Sequence, residues 1–187
     1  MPQSKTFVQQ KENRGLFYAA LFCGNVYWTL YLLFYGMTPK YFYVSEFVWY
    51  AGYLFLLLLV NLVKRGSSSR RSPVLFLVPL FAAGCGLFFI LQGSAVIDNI
   101  VTETLMGLVM WNALEGLLLL RDAPEKERNS RCFFITVLTF CLVEHAMWIA
   151  SCFWMGDTLK NPYFWFELVQ IACLSVMFPA LRKAVGE

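Results

Sequence analysis

The sequence predicts an all-α membrane protein, a polytopic bundle of six transmembrane helices. Three observations carry that expectation: a large apolar excess, its division into blocks of membrane length, and basic residues placed on one side. The chain is 59% hydrophobic and 14% charged, against about 25% charged and 45–50% apolar residues in an ordinary soluble domain. The excess falls over residues 16–36, 46–63, 74–92, 99–120, 132–154 and 163–181. Each block runs roughly 18–23 residues, enough at 1.5 Å per residue to cross about 30 Å of hydrocarbon. The six blocks use nearly the whole chain, which reads as a single transmembrane domain over residues 1–187.

The formal charge of +3 suggests nucleic acid only until its distribution is drawn. Lys5, Lys11 and Arg14 precede the first span, and Lys64, Arg65, Arg70 and Arg71 separate the second from the third. Arg121, Lys126, Arg128 and Arg131 separate the fourth from the fifth, and Arg182 and Lys183 follow the sixth. Only Lys40 and Lys160 stand on the other side. Such asymmetry is the positive-inside signature, so both termini are expected in the cytoplasm and the protein in the cell (plasma) membrane. The lipid bilayer is then the expected partner, and nucleic acid is not. The first span follows a polar leader of 15 residues and ends at Phe34-Tyr35-Gly36 without a small-residue cleavage site, which argues against a cleaved signal. Cys23, Cys85, Cys132, Cys141, Cys152 and Cys173 form no CxxC pair and read as polarizable packing residues.

Taken in order, the spans read as three hairpins. Arg14, Gly36, Glu46 and Lys64 recur 57 residues later as Arg71, Gly93, Glu103 and Arg121, and a looser third copy reads Arg131, Gly156, Glu167 and Arg182. Two explanations stand open. One is an internal repeat, which would put a site at the repeat interface. The other is the ordinary use of glycine at helix C-termini and glutamate at N-termini. Gly66-Ser67-Ser68-Ser69 is a flexible connector. Pro73 opens the third span without cost, Pro79 inside it is expected to kink it, and Pro179 lies in the last turn of the sixth.

Ionisable groups inside hydrocarbon cost roughly 2.5–3.5 kcal/mol each on insertion scales, so they need a partner or a task. Glu144 and His145 lie deepest, about 20 Å along the helix from Arg131. Helical spacing places Cys141, Glu144, Trp148 and Ser151 on one stripe with His145 beside it. Counting from the basic ends places Asn25, Tyr53, Asn112 and Gln170 at similar depth, which predicts a polar layer near the midplane. Such a layer is either a ligand site or a set of hydrogen bonds fastening the helices. Glu115 is close enough to Arg121 to snorkel toward the cytoplasmic surface. Glu46, Glu103 and Glu167 stand near the outer interface.

One histidine and no HxxH, HExxH or paired-cysteine pattern disfavour a metal, and no cofactor is expected. Aromatic residues are crowded on the outer side, from Tyr31 through Tyr41, Phe42, Tyr43, Trp49 and Tyr50, and again from Trp154 to Phe166. They form either an interfacial belt or an aromatic-walled mouth for a flat apolar or cationic ligand.

Trp28-Thr-Leu-Tyr31 through Ser45-Glu46-Phe-Val-Trp-Tyr-Ala-Gly-Tyr53 resembles the multi-span input domains that precede diguanylate cyclase and histidine kinase modules. In those domains a Trp in one span is followed by a proline, a Ser and an acid opening the next span, and a Tyr two turns on. Glu46 occupies the place of their Asp. The resemblance implies a sensory role. Cys23-Gly-Asn25-Val-Tyr-Trp28 is also similar to the Asn-x-x-Trp-Glu segment of small integral-membrane terpene cyclases, whose Glu is the acid. Thr29 stands at that position here, so the resemblance implies an acid drawn from Glu103, Glu144 or Glu167.

The leading expectation is therefore a membrane-embedded sensory or regulatory module. It would bind a small apolar or cationic molecule through Asn25, Trp28, Tyr53, Glu103, Asn112, Glu144, His145, Trp148 and Gln170. A cytoplasmic protein or a second copy of the chain would read the response. One alternative is an intramembrane enzyme of the acid–base lyase or isomerase type, with Glu144 or Glu103 as catalytic general acid on a lipophilic substrate. The other is a small-solute transporter, which needs a polar path open to both faces.

Overall fold

The computed structural model describes residues 2–35, 44–64, 72–93, 95–120, 128–153 and 160–185. Among them the chain forms α1 (Pro2–Tyr35), α2 (Val44–Lys64), α3 (Leu77–Gln92) with a 3-10 turn over Pro73–Phe76 before it, α4 (Val96–Leu119), α5 (Arg128–Phe153) and α6 (Pro162–Ala184). The apolar blocks become helices because hydrocarbon offers their backbone groups no hydrogen-bond partner outside the segment. Polar side chains inside them close the same account locally. Thr104, Asn112, Thr136, Thr139 and Ser175 each donate to the carbonyl four residues back. Asn161 caps α6 by accepting from the Tyr163 N–H at 3.0 Å, and Pro162 follows at the first helical position.

Among the described residues, five helical segments are long and apolar enough to cross a membrane: Glu12–Tyr35, Glu46–Lys64, Pro73–Gln92, Ser130–Phe153 and Pro162–Ala184. Their outer faces suit lipid, with Leu33, Phe76, Leu80 and Leu91 71–77% exposed. Helix α4 is as long, at 24 residues, but carries Asp98, Glu103, Asn112 and Glu115. It lies between α2, α3 and α5.

Neighbour relations run α1–α2–α4–α5–α6. The ring closes where Tyr18 of α1 donates to the Leu174 carbonyl of α6 at 3.1 Å and the Arg14 guanidinium sits 4.8 Å over the Phe178 ring. Helix α3 packs outside this ring on α4 and α5. We call the end holding Arg14, Lys64, Leu120, Arg131 and Arg182 the basic end. The hydrophobic core fills the half of the bundle nearest it, around Phe17, Leu56, Val60, Val109, Phe133, Phe134, Phe140, Met177 and Leu181.

Three expectations change in detail. Helix α1 starts at Pro2 and so runs well before residue 16. Pro79 falls in the first turn of α3, where its missing N–H breaks little, and the irregularity lies at the 3-10 turn before it. Cys23 and Cys132 are exposed, whereas Cys141 and Cys173 are buried. The loops with Tyr41, Phe42, Tyr43 and Trp154, and the glycine markers Gly36 and Gly156, lie outside the described residues. The three glutamates aligned by the 57-residue spacing have different surroundings: Glu46 is half-buried, Glu103 buried and Glu167 exposed.

Close approach of α4 and α5 depends on Gly116, because a Cβ there would lie 2.5–2.8 Å from the buried Phe134 ring. Gly84 of α3 has open space at the same point. Gly116→Ala is expected to lower stability by about 1–3 kcal/mol through overpacking. Gly84→Ala is expected to be neutral or to stabilise by up to about 1 kcal/mol through helix propensity. Detergent-micelle unfolding curves of the two variants check the contrast.

Candidate functional site

Directly above the core, four helices deliver polar side chains to one level. Tyr53 comes from α2, Glu103 from α4, Glu144 and His145 from α5, and Gln170 from α6. The Tyr53 hydroxyl donates to Glu144 Oε1 at 3.1 Å, and the Gln170 amide donates to Glu144 Oε2. One residue on, His145 turns to the other side of α5. Its Nδ1 lies 2.7 Å from the Cys141 carbonyl and its Nε2 3.1 Å from Glu103 Oε2. His145 is 1% exposed and Glu103 6%.

A carbonyl oxygen only accepts, so His145 Nδ1 carries a hydrogen. The Nε2···Oε2 contact then holds a single proton, on the imidazole or on the carboxyl, and the pair is neutral overall in both arrangements. Glu103 has a second oxygen. Oε1 is buried and has no hydrogen-bond partner among the described residues, an arrangement that is rare and costly away from a ligand or water. Gly86 of α3 makes room for the carboxyl, since a Cβ there would lie 3.3 Å from Glu103 Cγ.

Aromatic rings climb from this pair to the opposite end of the bundle. Ring centroids are 5.0 Å apart for Phe81–His145, 5.4 Å for His145–Trp148, 6.0 Å for Phe89–Trp148, 5.3 Å for Phe88–Phe89 and 5.9 Å for Phe88–Phe153. Phe153 at the top is 56% exposed. The buried pair is therefore joined to the surface by a run of ring faces and edges, surroundings that favour a cation or a flat apolar body.

Two further polar contacts flank the site on the α2–α4 seam. Tyr50 donates to Asp98 toward the opposite end. Lys64 Nζ contacts Glu115 Oε2 at 2.6 Å and Asn112 Oδ1 at 2.7 Å near the basic end. Glu115 is 6% exposed. It does not snorkel outward; the longer Lys64 side chain reaches inward to it. Between the Glu103 level and this contact, Met106, Val109, Met110 and Ala113 are buried.

Of the residues expected at the site, Tyr53, Glu103, Glu144, His145, Trp148 and Gln170 come together. Asn112 does not, because it faces Lys64. Asn25 is exposed on α1, and Trp28 packs on Trp49 with ring centroids 5.7 Å apart. Glu103 was placed near the outer interface by sequence but sits level with His145. Sequence reasoning missed the α3 residues Phe81, Gly86, Phe88 and Phe89. Their signal was present as rings at helical spacing around Gly84-x-Gly86, in a span otherwise read only as apolar. Among the described residues, no group of three or more His, Cys, Asp or Glu side chains could hold a metal ion.

Substitution at Glu103 separates shape from hydrogen bonding. In Glu103→Gln the amide still donates to His145 Nε2, and stability is expected to stay within about 1 kcal/mol of the parent. Glu103→Leu strands the imidazole and is expected to cost about 1–3 kcal/mol. Equal losses in micelle unfolding would contradict the pairing.

Comparison with known proteins found no matching family model, no matching curated protein and no matching solved structure.

Proposed function

We propose that this chain is a membrane-embedded recognition module of the cell membrane, sensory or regulatory in role. In this reading all six helices span the bilayer and both termini are cytoplasmic. The thirteen basic residues at one end of the hairpins support that orientation. Helix α4 is apolar enough to span once its polar groups are paired, and Asp98, Glu103 and Glu115 each have a side-chain partner from α2 or α5.

The ligand is a small molecule with a cationic or N–H-donating head and an apolar or aromatic body, taken from the outer side. The single observation carrying this is Glu103 Oε1, a buried acceptor without a partner at the foot of an aromatic column. The head would bond Oε1 while the body lies among Phe81, Phe89 and Trp148. Occupancy would change how α3 and α5 pack, and helix movement would carry the signal to the cytoplasmic end. The buried apolar layer between Glu103 and Asn112 speaks for recognition over a solute path through the bundle.

A second reading is supported by the proton held between Glu103 and His145. A carboxyl–imidazole pair beneath aromatic faces suits a general acid whose cationic intermediate is stabilised by the rings. In that case a lipophilic substrate would be consumed rather than held.

Native mass spectrometry of the protein purified from its own membrane separates the outcomes. Recognition is expected to yield a co-purifying molecule that dissociates unchanged and that Glu103→Gln loses by about 10–100-fold in affinity, the weight of one charge-assisted hydrogen bond. Product release from added membrane extract would favour the enzyme. An empty parent protein, or a ligand held equally by Glu103→Gln, would refute the site.

A further inference from the structure

Away from that centre, α1 and α6 touch at the basic end and border an open groove of about 630 Å³ lined by Arg14, Tyr18, Ile171, Leu174, Ser175 and Phe178. This volume lies within the range of small-molecule sites, about 300–1,000 Å³. Its wall is apolar except at one end. There the Arg14 guanidinium lies over the Phe178 ring, and Arg182 and Lys183 follow in the last turn of α6. A guanidinium meets a ring through its face and a phosphate through the N–H groups at its edge, so the two contacts are compatible.

A second polar feature lies beside it. Pro179 interrupts α6 from within and has no N–H for the carbonyl four residues back, that of the groove-lining Ser175. The helical pattern thus leaves a main-chain acceptor next to a basic cluster, in a segment whose other surroundings are hydrocarbon. The hydroxyl of Tyr18 is already given to the Leu174 carbonyl and closes the groove on its inner side.

We propose that this groove is a site for one anionic glycerophospholipid. Its phosphate meets Arg14 at the mouth, a headgroup or glycerol hydroxyl lies within reach of the Ser175 carbonyl, and an acyl chain lies along Ile171, Leu174 and Phe178. The argument for this occupant is complementarity at both ends: negative head to basic mouth, hydrocarbon tail to apolar wall. Anionic lipid is concentrated in the cytoplasmic leaflet, the leaflet in which the one-sided basic residues put Arg14. The bound lipid would bridge the first and last helices of the ring where few side chains join them directly.

The test uses the full chain, delipidated in detergent and titrated with dioleoyl phosphatidylglycerol or dioleoyl phosphatidylcholine, with bound lipid counted by native mass spectrometry. The parent protein is expected to hold one phosphatidylglycerol at least about fivefold more tightly than phosphatidylcholine, the weight of one basic side chain at a membrane surface. Arg14→Gln is expected to remove that preference and Arg14→Lys to restore part of it. Ser175→Phe, a change on an exposed face, is expected to fill the groove and lose both lipids with an unchanged melting temperature. Equal binding of the two lipids by the parent overturns the proposal. So does a preference that survives Arg14→Gln. Should Arg14→Gln fail to fold, retention of phosphatidylglycerol by Ser175→Phe overturns it.

Discussion

Everything in this fold follows from one constraint: a polar side chain inside hydrocarbon must find its partner inside the bundle. Helix α4 carries three carboxyls and two asparagines in 24 residues. Taken alone, it is not among the five described segments long and apolar enough to cross a membrane. Surrounded by α2, α3 and α5, it has a partner for each of its carboxyls and for Asn112: Tyr50 for Asp98, His145 for Glu103, and Lys64 for both Asn112 and Glu115. The arrangement of helices is thus largely the arrangement that satisfies α4.

The same constraint distinguishes structure from function. Lys64 with Glu115 and Asn112 is a complete set of contacts, and a complete set fastens helices. Glu144 is likewise satisfied on both oxygens, by Tyr53 and Gln170. Glu103 is the exception, satisfied on one oxygen and stranded on the other. An incomplete polar group in a low-dielectric interior is expensive, and this one lies beneath a column of rings.

The sequence was informative about depth and poor about direction. Distance along the helix from a basic end put Tyr53, Glu144, His145 and Gln170 on one level, and that level exists. The same count put Asn25 and Asn112 there, yet neither meets the others, because depth is set by rise per residue while facing is set by which neighbour lies at that angle. Asn25 lies on the exposed face of α1 and Asn112 on the side of α4 turned to Lys64. Glu103 was misjudged for a related reason. The sequence grouped it with Glu46 and Glu167 near the outer interface, but α4 starts at Val96 and carries Glu103 two turns inward. Helix α3 was legible as a span but not as a wall of the site, since the run from Phe81 to Phe89 carries no charged or amide side chain and only packing reveals which rings stack.

The account stands on α4 being a membrane helix sealed along the face that bears Glu103. Nitroxide labels at single cysteines introduced along α4 in a cysteine-free protein, reconstituted in bilayer discs, read this directly through collision with oxygen and with a water-soluble nickel chelate. Labels at Ile97, Ile100, Thr104 and Leu108, the exposed stripe, are expected to collide with oxygen as lipid-facing sites do. Labels at Met106 and Met110 are expected to be shielded from both agents. Free access of the nickel chelate along the whole helix would mean that α4 lies in water, and the account would fail.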